Sequence, residues 1–272
     1  MTDDALLDFD QETFTDGGTT HSVHRSGSGP AVLVIAEIPG ITPKVLEFAR
    51  TVRAEGFTVV LPHLFGAPGR DPNPPAHGWT GTVATGVRAL GRVCISREFS
   101  LFAPGRTSPV VTWLRALAAR EHERCGGPGV GAIGMCLTGG FALAMATDER
   151  MLAPVLSQPS LPLTLLPGRK RGTDISPEDL AVVKQRCLAG DLQVMGLRFR
   201  GDKLVSDERF AWLRDQLGDA FVAVELDDED ANPEGLLPPH SVVTEHLIDE
   251  PGSRTRAALD DVLDLFRKKL LA

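Results

Sequence analysis

The sequence predicts an α/β fold: a single doubly wound domain with a mostly parallel central sheet and helices on both faces. Three observations carry that expectation. Short apolar runs rich in branched residues, such as Ala31 to Ala36, read as strands buried on both faces. Segments with helix start and stop signals separate those runs. The alternation of strand and helix continues to the C-terminus, as a wound sheet requires. A length of 272 residues suits one large domain with a sizeable core.

The elements follow in order. Residues 1–27 are polar and read as an N-terminal segment with possible edge strands; residues 28–272 read as the α/β domain. Ala31 to Ala36 is its first strand, and Glu37 to Ile41 is the loop after it. Thr42-Pro43 opens a helix as N-cap and first helical residue, and Gly56 closes it. Phe57 to Leu61 is the next strand. Residues 63–108 are irregular and rich in Gly and Pro, with some helix expected near Val83 to Val93; so long a segment inside a compact domain is usually functional or mobile. Ser108-Pro109 is read as the cap of a helix running to about Arg124, with Gly126 as its stop. Val130 to Met135 is a strand, Phe141 to Ala146 a helix and Met151 to Leu156 a strand. Ser176-Pro177 starts a helix with acidic residues in its first turn. Gln193 to Phe199 (strand), Glu208 to Leu217 (helix) and Phe221 to Glu225 (strand) follow. The loop Asp227 to Pro239 leads to His240, and a last helix spans about Thr255 to Leu270.

Bulk properties narrow the function. Lys and Arg number 28 against 36 Asp and Glu, a net charge of −8, which argues against a nucleic-acid surface. No apolar stretch reaches the length of a membrane span. The acidic start, Met1-Thr2-Asp3-Asp4, is unlike a signal peptide. Four cysteines (Cys94, Cys125, Cys136, Cys187) in a chain of this length do not make a disulfide framework, and reduced thiols in the cytoplasm are the expectation. Neither C-x-x-C nor H-E-x-x-H occurs, so no metal is expected.

The stretch that carries chemistry is Gly131 to Ala146, GAIGMCLTGGFALAMA. It reads as strand, sharp turn and helix, with Cys136 at the turn. A nucleophile elbow has this grammar, Gly-x-nucleophile-x-Gly in its common form. Small neighbours admit a strained turn that pushes the side chain into the open. Here Thr138 stands where Gly is usual, and Gly139 and Gly140 follow. Two other readings compete. A lone Cys in an apolar run often acts as a small core hydrophobe, but such a residue needs no small neighbours at a strand-to-helix junction. Gly129, Gly131 and Gly134 match G-x-G-x-x-G, but that fingerprint needs a strand before the glycines, and here the strand runs through them.

A thiol nucleophile needs a base, and the base needs a group to hold it. Sites in open α/β sheets form at the C-terminal ends of strands. Asp202 follows the strand ending at Phe199, and His240 follows the loop after the strand ending at Glu225. The order is nucleophile, acid, histidine, as in α/β-hydrolases. Taken singly, Asp202 also reads as a turn residue or cap, with Ser206 and Asp207 as rival caps. His246 is the rival base and is read as a surface residue.

The chain resembles the dienelactone hydrolase family of the α/β-hydrolase superfamily over about residues 28–270. The matching stretches are Glu37-Ile38-Pro39-Gly40-Ile41, Gly134-Met135-Cys136-Leu137-Thr138-Gly139-Gly140, Asp202-Lys203-Leu204-Val205 and His240-Ser241. The resemblance implies a Cys136-His240-Asp202 triad, cleavage of an ester or strained enol-lactone through an acyl-thioenzyme, and no cofactor. It also implies that Glu37 sits close to the thiol and governs its resting ionisation. The peptide N–H groups of Ile38 and Leu137 would form the oxyanion hole. Family enzymes hold the substrate carboxylate with arginines, for which Arg97 and Arg106 are candidates. The chain has no Tyr, so any tyrosine contact of the family is absent. The expected partner is a small ester or lactone, with no nucleic acid and no membrane; the oligomeric state stays open. Two alternatives share these residues: an acyltransferase or thioesterase using the same triad, and a catalytically inactive binding protein on the same fold.

Overall fold

The computed structural model describes residues 4–71, 106–161, 170–235 and 238–271. Eight strands form one sheet in the order β1-β2-β4-β3-β5-β6-β7-β8. The first two, β1 (Asp10–Asp16) and β2 (Thr19–Gly27), make an antiparallel hairpin, and β2 pairs antiparallel with β4 (Thr58–Pro62). From β4 onward the sheet is parallel, through β3 (Ala31–Ile35), β5 (Val130–Met135), β6 (Met151–Ser157), β7 (Val194–Phe199) and β8 (Phe221–Leu226). The polar N-terminal segment thus supplies the edge, where alternating half-exposed residues are tolerated.

Six helices are described: α1 (Pro43–Ala54), α2 (Val110–Cys125), α3 (Gly139–Met145), α4 (Pro177–Ala189), α5 (Asp207–Leu217) and α6 (Arg254–Leu270). The central strands are buried on both faces, so successive residues feed two cores. Val32, Val34, Val59, Leu61, Ile133 and Met135 pack under α1 and α6. Leu33, Ile35, Val60 and Ala132 pack under α2, α3 and α5. This period-2 division explains why the strands read as unbroken apolar runs.

Two expected caps are present. Thr42 accepts from the Val45 amide at 3.3 Å with Pro43 behind it, and Ser176 accepts from the Asp179 amide at 3.1 Å with Pro177 behind it. Ser108 differs from expectation. Helix α2 starts at Val110 without a side-chain cap, because the Ser108 hydroxyl is bonded to the buried Asp174 carboxylate. The helix expected near Val83 to Val93 lies outside the described residues. No described helix is long and apolar enough to cross a membrane.

Candidate active site

Because β3 to β8 are parallel, the loops leaving them open on one edge of the sheet. The most constrained of these is the turn after β5. Cys136 has φ +55°, left-handed for a non-glycine residue. Among the described residues only Gln158, at the end of neighbouring β6, shares a positive φ without being glycine (+36°). Two such residues side by side mark a place where backbone strain of order 1–3 kcal/mol each is held by surrounding structure. Gly134 makes the turn possible, since a Cβ there would meet the Thr138 carbonyl at 2.0 Å. Thr138, in the position where Gly is usual, is buried and structural. Its hydroxyl donates to the Ile35 carbonyl at 2.7 Å and accepts from the Met135 amide at 2.8 Å. It therefore ties the end of β5 to the end of β3, where Ile35 and Gly134 are register partners.

Cys136 is partly exposed. Its Sγ lies 3.1 Å from the Ser160 hydroxyl, and its carbonyl accepts from the Ser160 amide at 3.0 Å. Around it Phe65 and Leu137 form a small apolar cluster with Ile38 and Leu64. The Ile38 and Leu137 amides, three residues beyond the Ile35–Gly134 register pair, donate to no other described group.

His240 is buried. Its Nδ1 donates to Asp202 Oδ2 at 2.6 Å, which fixes the proton on that nitrogen. Asp202 Oδ1 accepts from the Leu204 amide at 2.8 Å, so the residue serves as turn-former and histidine partner at once. The other ring nitrogen, His240 Nε2, is buried and makes no hydrogen bond among the described residues. Burial opposes protonation of this ring, but the Cys136 sulfur first and then Asp202 outweigh it. Together they raise its pKa well above the usual histidine range.

His246 is not the surface residue expected. It is 2% exposed, and its Nδ1 accepts from the Ser241 amide at 3.2 Å and the His240 amide at 3.4 Å. Its ring thus holds the backbone of the histidine loop, with Phe199 edge-on at 6.0 Å.

Glu37, in the loop after β3, is buried, at 7% exposed. Its carboxylate accepts from Ser241 Oγ (2.7 Å), Thr244 Oγ1 (2.8 Å) and Gln158 Nε2 (3.1 Å). Gln158 Oε1 in turn accepts from the Ser157 hydroxyl and, at 3.4 Å, from the Val242 amide. The carboxylate is bonded to these three neutral donors, whereas the thiol's hydrogen bond goes to Ser160. Glu37 reaches the histidine through Ser241 rather than by a bond to sulfur.

Of the arginine candidates, Arg106 is exposed at the start of the segment leading to α2, and Arg97 lies outside the described residues. Sequence reasoning missed Ser160, Gln158, Thr244 and Arg209. Only Gln158-Pro159-Ser160 carried any local signal, as a polar stretch closing an apolar strand. Among the described residues no group of three or more His, Cys, Asp or Glu could hold a metal ion.

The sequence profile of the dienelactone hydrolase family matches residues 19–161, more than half of the chain. The chain belongs to the dienelactone hydrolase family. It is a hydrolase with the family's eight-stranded fold. No curated protein sequence matches it. Solved structures do. A dienelactone hydrolase-like promiscuous phosphotriesterase from metagenomic libraries superposes with a TM-score of 0.60 at 17% identity, over 96% of this chain and 98% of that one. The dienelactone hydrolase of Anabaena variabilis gives 0.56 at 16%, over 97% and 99%. A thioesterase domain from the curacin biosynthetic pathway gives 0.52 at 12%, over 94% and 99%. At these identities the likeness is one of fold.

Proposed function

We propose that this dienelactone hydrolase family member cleaves an ester or enol-lactone with Cys136 as nucleophile, His240 as acid and base, and Asp202 as its orienting carboxylate. One observation supports this most. A strained, partly exposed thiol lies close enough to the buried imidazole of His240 for its sulfur to raise that ring's pKa, and the far side of the ring is held by a carboxylate at 2.6 Å.

In this reading the Cys136 thiol gives its proton to His240 Nε2, the thiolate sulfur attacks the substrate carbonyl carbon, and the carbonyl π electrons move onto oxygen. The amides of Ile38 and Leu137 receive that oxyanion; losing one such donor raises the barrier by roughly 3 kcal/mol in comparable sites. As the tetrahedral intermediate collapses, the C–O bond breaks and protonated His240 gives its Nε2 proton to the leaving oxygen. The product is a thioester on Cys136. Neutral His240 then takes a proton from water, whose oxygen attacks the thioester and releases acid and thiolate. The apolar walls made by Ile38, Leu64, Phe65 and Leu137 favour an uncharged acyl portion next to sulfur. Glu37 keeps Ser241 and Thr244 fixed beside the base.

Intact-protein mass spectrometry during turnover of an activated ester tests the reading. An acyl mass mapped to Cys136 is expected, with loss of both adduct and turnover in Cys136→Ala. Cys187, whose thiol burial pushes up, should stay unmodified. Turnover that survives Cys136→Ala would move the nucleophile elsewhere, with Ser160 the first alternative.

A further inference from the structure

Ser160 follows the end of β6 and is buried. Its loop is tied down on every side. The Gln158 amide, in its left-handed turn, donates to the Leu197 carbonyl of β7 at 2.8 Å. Pro159 presses on the first residue of α3, where a Cβ on Gly139 would lie 2.7 Å from the Pro159 Cα. The Pro159 carbonyl accepts at 3.0 Å from Arg209, a buried residue of α5. The Ser160 amide donates to the Cys136 carbonyl at 3.0 Å. The result is a hydroxyl placed 3.1 Å from Cys136 Sγ, with no other hydrogen bond among the described residues.

A hydroxyl is both donor and acceptor. Beside a neutral thiol it can accept from S–H; beside a thiolate it turns its own hydrogen towards sulfur. An ionised carboxylate can do only the first. Family resemblance gives control of the thiol to Glu37, but that carboxylate is bonded to Ser241, Thr244 and Gln158. The place beside sulfur is filled instead by a neutral group of opposite tendency. A carboxylate there would hold the thiol protonated, whereas a hydrogen bond donated to the charged form favours that form.

We propose that Ser160 is a further catalytic residue of this site: its hydroxyl donates to the Cys136 sulfur as the thiol gives its proton to His240, and so sets how readily the nucleophile ionises. The inference rests on the nucleophile reading of Cys136. The thiol proton ends on His240 Nε2, and the serine keeps its own. Once the acyl group is on sulfur the charge is gone, and the hydroxyl recovers its anionic partner when water releases the thiolate. His240, after β8, and Arg209, on α5, are the cations whose charge interacts with this sulfur. Asp202, after β7, stands behind His240, and Glu37, after β3, is held by Gln158, two residues before Ser160. None of these groups changes when the serine hydroxyl alone is removed.

The test is Ser160→Ala, which removes one oxygen and keeps the amide bond to Cys136. Iodoacetamide labelling of Cys136 is followed across pH by peptide mapping, alongside a thermal melt. Loss of one hydrogen bond to charged sulfur should displace the labelling profile to higher pH by about one unit. A more basic thiolate is also a better nucleophile, with a Brønsted slope of about 0.4–0.5. The variant should therefore label about threefold more slowly on the acid limb and about threefold faster on the alkaline plateau, so the two profiles cross. A merely structural serine would lower the melting temperature and leave the midpoint where it is. A folded variant with the wild-type midpoint, or one displaced to lower pH, overturns the proposal. If Ser160→Ala does not fold, Ser160→Gly, which also lacks the hydroxyl, is held to the same comparison. The nucleophile reading fails separately: an acyl adduct on Ser160, or turnover that survives Cys136→Ala, would sink it and the role of Ser160 with it.

Discussion

Two buried carboxylates flank His240, and their surroundings are opposite. Asp202 faces a titratable partner, the imidazole at 2.6 Å, with one backbone amide behind it. Glu37 faces three neutral side-chain donors, Ser241, Thr244 and Gln158. A carboxylate paired with imidazole responds when the imidazole changes charge. One held by hydroxyls and an amide stays the same throughout. The contrast teaches that burial alone says little about a carboxylate's work. What it is bonded to decides whether it takes part in proton movement or fixes the geometry around it.

The largest expected effect breaks the first half of the comparison. Asp202→Asn would leave the shape of the site but allow the imidazole its wrong tautomer. A fall in kcat of roughly a thousand- to ten-thousandfold is expected, measured with an activated ester, while the melting temperature moves little. A fall of less than tenfold would show that Asp202 is only the turn residue its Leu204 contact describes.

A third carboxylate sharpens the comparison. Asp174 is buried, and Ser108 is its hydrogen-bond partner. Burial raises its pKa from 3.8 to about 6. The sign follows from linkage. Between those values the folded protein holds a proton that the unfolded chain has lost, so stability falls as pH rises through the window. Asp174→Asn removes that loss. Denaturant titrations should show no gain below about pH 4 and a gain approaching about 3 kcal/mol at pH 7, at 1.4 kcal/mol per unit. An equal gain at both pH values would refute the linkage.

The smallest effect is expected at Glu37. Glu37→Gln turns one acceptor oxygen into a donor that confronts another donor. A destabilisation of about 1–3 kcal/mol is expected, with kcat reduced by less than the Asp202 change. Thiol labelling rates near wild type would agree with the observed bond from Cys136 to Ser160. Labelling much faster in Glu37→Gln would instead mean that the carboxylate acts on sulfur directly.

These residues also mark what could be read in advance. Cys136 and Asp202 could be picked out because each follows closely on a strand, and strand ends show in the hydrophobic pattern; His240 was picked out by chain order, after the long loop that leaves β8. Glu37 was found by resemblance, but its partners were not, because Gln158, Ser241 and Thr244 lie 121 to 207 residues away and share no periodicity with it. His246 was misjudged for a related reason. A polar residue in a loop looks solvated until the loop folds over it, and here the ring is the acceptor that organises the loop. Ser108 has the form of a helix cap, and only the tertiary position of Asp174 diverts its hydroxyl. Arg209 sits in an ordinary amphipathic helix, where nothing local separates a buried arginine from an exposed one.

The Thr138 hydroxyl has a consequence for how this site can change over generations. It rivets β5 to β3 below the Ile38 and Leu137 amides that the proposed mechanism assigns to the oxyanion, each three residues past one register pair. The points from which the two loops depart are therefore set by the spacing between neighbouring strands, about 4.8 Å in any sheet. Loops above can lengthen, shorten or change polarity while the two strand ends beneath them keep their distance. A lineage with this foundation is free to explore substrates without having to reinvent its chemistry.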